Sequence, residues 1–260
     1  MKISIITINR NTGQSVLRTI DSIRGQTWPD FEWVIVDGAS HDNSGDTLHG
    51  ACRINDSYES GPDRCIADAF NKGIARSKGD AILFMNAGDA FDGSDCLTRL
   101  VNNWDISRYR WITGGARVMT EEGEERFIRR HTVSHPIELV SHGCRIFHAA
   151  TLIDRRLFQG FGGYNERFRI SMDYEMWLRW ISKGIEPQIE DSIVACFYVG
   201  GASSRIMARY EEDRRARQIN GMGLSGLGEM RLRGKALTKA LCPDSLRNGL
   251  AYRIKEGMRW

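Results

Sequence analysis

Three aspartates stand where this chain could most easily do chemistry. Asp89 closes the run Ala81-Ile82-Leu83-Phe84-Met85-Asn86-Ala87-Gly88-Asp89. Its apolar half reads as a strand buried on both faces, after which the chain turns and presents one carboxylate. Open α/β sheets bind ligands at the carboxyl ends of their strands, so Asp89 is a candidate metal ligand or substrate contact. The plainer reading is a turn acid that bonds its own backbone. Asp37 follows a second strand-like stretch, Phe31 to Val36, and a carboxylate there suits accepting a hydrogen bond from a base N–H. Asp173 falls in the first turn of a helix expected to begin near Ser171. The helix dipole favours a negative charge there, and on spacing alone that is sufficient reason for an acid.

The elements that must position these acids alternate. Ile3 to Ile8 reads as a strand, Thr12 to Gln26 as a helix with Val16, Leu17, Ile20 and Ile23 on one face, and Phe31 to Val36 as the second strand. A helix from Asn43 to Cys52, an irregular stretch around Tyr58 to Asp63 and a helix from Cys65 to Ser77 lead into the strand before Asp89. Strands separated by helices of this length imply a parallel sheet with right-handed crossovers. The turns after the strands then share one edge. That gathers Thr7, Asn9 and Arg10, then Asp37, then Asn86, Ala87, Gly88 and Asp89 around one crevice.

Composition narrows what the crevice serves. The chain has 260 residues, 41% hydrophobic and 27% charged, which is ordinary globular material. Its six cysteines include no C-x-x-C pair, which argues for a reducing compartment and against a disulfide framework or a zinc ribbon. The apolar run at the amino terminus stops at Asn9-Arg10 and reads as a strand rather than a signal peptide. No run of about 18 apolar residues occurs, so no helical bilayer span is expected. Neither G-x-G-x-x-G nor G-x-x-x-x-G-K-[ST] follows the first strand. A nucleotide diphosphate held here would need another source of positive charge. Mn2+ or Mg2+ on Asp89, sharing its shell with the phosphates, meets that need.

Four segments in order carry a resemblance. They are Ser-Ile-Ile-Thr-Ile-Asn-Arg at 4–10, Val-Asp-Gly-Ala-Ser-His-Asp-Asn-Ser at 36–44, Asp-Arg-Cys-Ile-Ala-Asp-Ala-Phe-Asn-Lys-Gly at 63–73 and Phe-Met-Asn-Ala-Gly-Asp at 84–89. Together they resemble the family 2 inverting glycosyltransferases of GT-A fold, and among these the bacterial colanic acid and exopolysaccharide enzymes. The resemblance implies a Rossmann-like, mostly parallel sheet flanked by helices, a smaller antiparallel element and a helical C-terminal tail. It implies a nucleotide-sugar donor, with UDP expected, and a glycan or lipid-linked saccharide as acceptor. Donor contacts would come from Thr7, Asn9, Arg10, Asp37, Asp63, Arg64, Asn71, Asn86, Ala87 and Gly88, and the metal from Asp89. The family places its catalytic base at the position of Asp173, where this chain reads Met172-Asp173. Tyr174, Trp177 and His148 would lie on the acceptor side. With Ala87-Gly88 before it, Asp89 is the only carboxylate of its motif, so the metal is expected to bind weakly until the diphosphate arrives.

The remaining segments fit that frame. Asp92 to Asn103 reads as a helix, and Tyr109 to Met119 with Arg126 to Thr132 as a hairpin across Glu121–Glu125. His142 and His148 lie on a segment expected to be extended, which would turn both to one side. A helix ends at Phe158, the glycine-rich loop 160–168 follows, and Ile189 to Val199 is a strand ending in Gly200-Gly201-Ala202-Ser203-Ser204, placed by the resemblance as closing the site. The expected organisation is a GT-A domain over 1–204, with a nucleotide half to 90 and an acceptor half from 91, then a helical basic extension over 205–260. From Glu229 onward in that extension, Arg231, Arg233, Lys235, Lys239, Arg247, Arg253, Lys255 and Arg259 face only Glu229, Asp244 and Glu256. Interleaved leucines make it either a surface for anionic lipid at the inner face of the cell membrane or a solvated helical cap. No nucleic-acid module accompanies the charge, so nucleic acid is not an expected partner, and a cytoplasmic enzyme is the expectation. A nucleotidyltransferase or a non-catalytic nucleotide or glycan module remain the alternatives. The former would want a basic glycine-rich loop after the first strand, where Thr7-Ile8-Asn9-Arg10-Asn11 has one basic residue.

Overall fold

The computed structural model describes residues 1–131, 136–140, 143–199 and 205–241. The opening strand β1 (Ile3–Asn9) lies between two parallel neighbours, β2 (Phe31–Asp37) and β4 (Ala81–Phe84), and is buried along almost its whole length by apolar layers on both faces. A strand covered on both faces has no side turned to water, so its isoleucines pack into the core and its polar residues Ser4, Thr7 and Asn9 each bond to protein partners. Helices α1 (Val16–Arg24), α2 (Ser44–Gly50) and α3 (Ile66–Arg76) make the crossovers. Leu17 was expected on the inner face of α1 but is 45% exposed, because the helix begins at Val16 after a 3-10 turn and its buried stripe is Val16, Thr19 and Ile23.

Two strands are absent from the sequence expectation. Ser57–Ser60 forms β3, parallel to β2, where an irregular stretch was expected. It is a short polar edge strand with no apolar alternation to announce it. Ala90–Phe91 forms β5, so helix α4 (Cys96–Asn103) starts later than Asp92.

Beyond β4 the sheet becomes mixed. Helix α4 leads to β6 (Trp111–Met119), which forms the expected hairpin with β7 (Glu125–Arg129). Strand β8 (Thr151–Asp154) runs antiparallel between β4 and β6, and β9 (Gln188–Tyr198) lies parallel to the other edge of β6 and antiparallel to β5. The order is β3-β2-β1-β4-β8-β6-β9-β5, with β7 beside β6. Alternate residues of each strand feed two apolar layers. Ile3, Ile5, Trp33, Ile35 and Leu83 pack on the side of α1 and α4, while Ile6, Val34, Phe84 and Trp111 pack under α3, α5 (Arg155–Phe161) and α6 (Met172–Ile181).

Helix α6 is anchored by aromatic stacking. Trp177 lies flat on Trp111 of β6, with ring centroids 4.7 Å apart and planes 6° from parallel, and Trp180 meets both rings edge-on. Helix α7 (Ile206–Ile219) packs on α6, and α8 (Gly226–Leu241) packs on α7. Helix α7 is rich in charged residues, yet Asp213 and Arg217 are buried. Arg217 spends its charge on Glu229 of α8 at 2.9 Å. His142, the end of the second hairpin strand at Thr132, residues 200–204 and the chain beyond 241 lie outside the described residues.

Candidate active site

The parallel register brings the predicted strand ends together. Asn9 is paired directly with Asp37, and Asp37 with Ser60. Met85 and Ala87 continue the ladder by donating their N–H groups to Ile6 and Ile8. Asn9, Asp37, Asp63 and the 86–89 turn therefore share one sheet edge, as the alternation of elements implied.

What these groups do there differs from the expectation. Asp37 is buried, and its carboxylate accepts four bonds: from Asn9 Nδ2 at 2.7 Å, Ser40 Oγ at 2.6 Å, Ser40 N at 3.0 Å and Ser60 Oγ at 2.7 Å. Burial acts to raise its pKa, but the bonds from Ser40, Ser60 and Asn9 outweigh it and hold the carboxyl below its ordinary value. A carboxylate offers about four acceptor sites, so no lone pair remains for a base N–H. Asn9 is likewise consumed, donating to Asp37, Ser40 and Ser44 and accepting from Thr12. Thr7 is fully buried between Met85 O and Trp33 Nε1, which removes it from donor contact. Asn71 clamps Tyr164, donating to its carbonyl at 3.0 Å and accepting from its N–H at 2.8 Å. These four residues build the crevice rather than line it.

Ser40 and Asp42, both within the 36–44 segment, complete that frame with Ser60 and Thr19, which lie outside the four motif segments. Asp42 accepts from Gly13 N at 2.8 Å, tying the loop after β1 to the loop after β2. Two residues of these loops, Asn11 and Ala39, hold φ of 53° and 55°, a left-handed conformation uncommon outside glycine. Arg10 remains exposed beside Gly38. Asp63 faces the same glycine, whose hypothetical Cβ would lie 2.9 Å from Asp63 Oδ2, while Lys72 holds Asp63 Oδ1 at 2.6 Å. Arg64 is engaged with Asp68 and Glu166.

The 86–89 turn is pinned from α1. Thr19 Oγ1 accepts from Gly88 N at 2.9 Å and donates to Asp89 O at 2.7 Å, and Gly88 takes a φ of 99° that side chains rarely adopt. Asp89 is 7% exposed, and one carboxylate oxygen accepts from Tyr198 N at 3.0 Å. Burial pushes its carboxyl up to about 7, against the Tyr198 N–H and the Arg18 guanidinium. Three residues earlier, Asn86 Oδ1 is buried without a hydrogen-bond partner. An unpartnered amide oxygen and an under-compensated carboxylate are both hard donors, so the turn fits a divalent cation. No group of three or more His, Cys, Asp or Glu side chains suited to a metal occurs among the described residues. The remaining ligands would come from phosphate and water.

Asp173 occupies the first turn of α6 and is half-buried. Burial pushes its carboxyl up to about 6, opposed by Arg209 and by the Tyr174 N–H, which donates at 2.7 Å, and reinforced by Asp213. Cys144 and the buried Tyr164 hydroxyl lie within its electrostatic reach. Its predicted neighbours are otherwise placed. Tyr174 and Trp177 are fully buried, Tyr174 donating to Val140 O and Trp177 stacked on Trp111, so neither reaches an acceptor. His148 sits in a 3-10 turn rather than an extended segment. Its ring stacks on Phe84 at 4.4 Å, meets Phe70 edge-on and shares a hydrogen bond with Tyr164. Burial lowers its pKa to about 3, so it stays neutral and is a core histidine.

A mixed sheet with a parallel β3-β2-β1-β4 half continued by β8, β6, β9 and β5 is the architecture of a GT-A type glycosyltransferase. The chain belongs to glycosyl transferase family 2, whose model matches residues 4–170. An uncharacterized glycosyltransferase of Mycobacterium tuberculosis is 29% identical over 184 residues, 68% of each chain. A PGL/p-HBAD biosynthesis glycosyltransferase of Mycobacterium bovis is 28% identical over 182 residues, 69% of each. Among solved structures, S. aureus TarS residues 1–349 in complex with UDP superposes with a TM-score of 0.64 at 15% identity, covering 91% of this chain and 71% of that one. Mannosyltransferase PcManGT from Pyrobaculum calidifontis, in complex with GDP-Man and Mn2+, gives 0.63 at 15% identity over 99% and 80%. The fold is shared with both, and the chain is a glycosyltransferase.

Proposed function

We propose that this enzyme transfers a sugar from a nucleotide-sugar donor, with UDP the expected nucleotide, to a glycan or lipid-linked acceptor, with inversion at the anomeric carbon and Asp173 as general base. The observation that carries the reading is the state of Asp173. It is a half-buried carboxyl raised to about 6, so near neutral pH it is ionised and still basic enough to take a hydroxyl proton. In a single inverting displacement the acceptor oxygen attacks the face opposite the diphosphate, and one carboxylate receives its proton. No second carboxylate nucleophile is needed, which separates this scheme from a retaining glycosidase pair.

The donor would lie over the edge built by Asn9 and Asp37. The GDP-Man and Mn2+ of the Pyrobaculum enzyme and the UDP of TarS support a nucleotide there. With Asp37 saturated, Asp63 takes over as the carboxylate facing the base, and Arg10 is an exposed cation at the rim. Asp89 and the Asn86 amide oxygen would hold Mn2+ or Mg2+. When bound, the ion supplies positive charge for the leaving diphosphate. Residues 1–204 form the transferase domain in this reading and 205–260 an extension that works at the inner face of the cell membrane in polysaccharide assembly.

Asp173→Asn tests the assignment. Nucleotide affinity, measured by calorimetry, should change little, while transfer falls by about 10²–10⁴-fold, the usual worth of a general base. A folded Asp173→Asn protein that transfers sugar at the wild-type rate would sink the role.

A further inference from the structure

Among the described residues, helix α8 buries one face against α7 and leaves another bare. Gly228, Glu229, Leu232 and Ala236 are the partly buried positions, recurring at helical spacing along the side that meets α7. Leu227, Met230 and Leu237 fall on a different stripe and are 75%, 69% and 41% exposed. On a helix of 100° per residue these three lie within one quadrant, with Gly234 between them. Arg231 and Lys235 flank the stripe on one side and Arg233 on the other, all exposed. Apolar side chains this bare, bordered on both sides by cations, are an arrangement that water disfavours and an anionic bilayer surface rewards.

We propose that α8 is a docking helix for an anionic lipid surface, lying in the interface with Leu227, Met230 and Leu237 inserted and Arg231, Arg233 and Lys235 at the headgroups. The basic flanks choose this occupant over a second copy of the chain. A symmetric α8 pair would bring those same arginines and lysines of two copies together, with Glu229 turned inward and unable to answer them. The helix is also tied to the body of the enzyme. Glu229 accepts from the buried Arg217 at 2.9 and 3.0 Å and from the Tyr210 hydroxyl at 3.2 Å. Arg217 lies in turn against Tyr174, the residue after Asp173. Three packed helices thus connect the lipid-facing stripe to the proposed base. This inference deepens the lipid-linked acceptor of the proposed function, but its test does not depend on transfer.

The test is cosedimentation of the full chain with vesicles of phosphatidylcholine alone and of phosphatidylcholine mixed with phosphatidylglycerol. Wild type should bind the mixed vesicles and not the neutral ones. The triple variant Leu227→Ser, Met230→Ser, Leu237→Ser should lose at least about tenfold in partitioning. Arg231→Gln with Lys235→Gln should lose about fivefold per charge. Ile54→Ser, which alters a 98% exposed apolar residue elsewhere, should bind as wild type. Asp173→Asn should do the same, so failure of the catalytic assignment leaves this result standing. Equal binding by the triple variant, or no preference of wild type for the anionic vesicles, overturns the proposal. So does a wild-type dimer that the triple variant dissolves without change in vesicle binding.

Discussion

At the scale of single residues, Asp173 sets a pH dependence for both activity and stability. As a base it must be ionised, so kcat/KM for transfer should climb as pH rises through about 6 and level off above it. An Asp173→Asn protein should show no such limb. Stability runs the opposite way. In the folded chain the carboxyl keeps its proton up to about 6, whereas in the unfolded chain it releases it near 3.8. Between those values the folded state binds more protons, so this residue's contribution falls as pH rises across the window and is fully unfavourable above it. Asp173→Asn should therefore raise Tm at neutral pH by calorimetric scan. A lowered Tm would mean that the charged carboxylate is stabilised by contacts stronger than those from Arg209 and the Tyr174 N–H. The same residues mark what sequence could reach. Asp173 was placed in a first helical turn by spacing, and its role came from resemblance. Its raised pKa comes from burial under other elements and, to a lesser degree, from Asp213, neither of which is written locally.

At the scale of elements, α6 separates packing from function. Tyr174 and Trp177 are aromatic residues beside a proposed base, and a local reading assigns them to the acceptor. The helix instead turns them into the core, where Trp177 stacks on Trp111 of β6. Trp177→Ala should cost about 3–5 kcal/mol of stability, read from urea unfolding, with the KM for acceptor unchanged in the protein that stays folded. A large rise in KM with unchanged stability would return Trp177 to the site. His148, Asn71 and Thr7 pose the same physical choice. A polar side chain at a strand end or helix face can serve a ligand or satisfy buried backbone, and only the partners reveal which. Each of these three has protein partners close enough to occupy it.

At the scale of the whole molecule, the metal is expected to couple nucleotide to fold. Asp89 and Asn86 supply too few donors to hold a divalent ion tightly by themselves, so Mn2+ alone should raise Tm little, and Mn2+ with UDP by several degrees. Asp89→Ala should erase most of the joint increment in a thermal-shift measurement. A metal-dependent increment that survives Asp89→Ala would move the ion elsewhere. Sequence alone determined the order of alternating elements, the shared edge on which Asn9, Asp37 and Asp89 gather, and the hairpin after α4, because buried parallel strands and their crossovers write periodic patterns into the chain. It did not determine β3 and β5, which are too short and polar to leave a pattern. Nor did it reveal the insertion of β8 between β4 and β6, which joins residues distant along the chain. The crevice residues themselves were divided only by tertiary structure. Asp37 lost its freedom to Ser40, Ser60 and Asn9, while Asn86 and Asp89 kept oxygen atoms without enough partners. Residue types and spacing fix which groups arrive at a site, and the hydrogen bonds closed by the fold decide which of them remain available to a ligand.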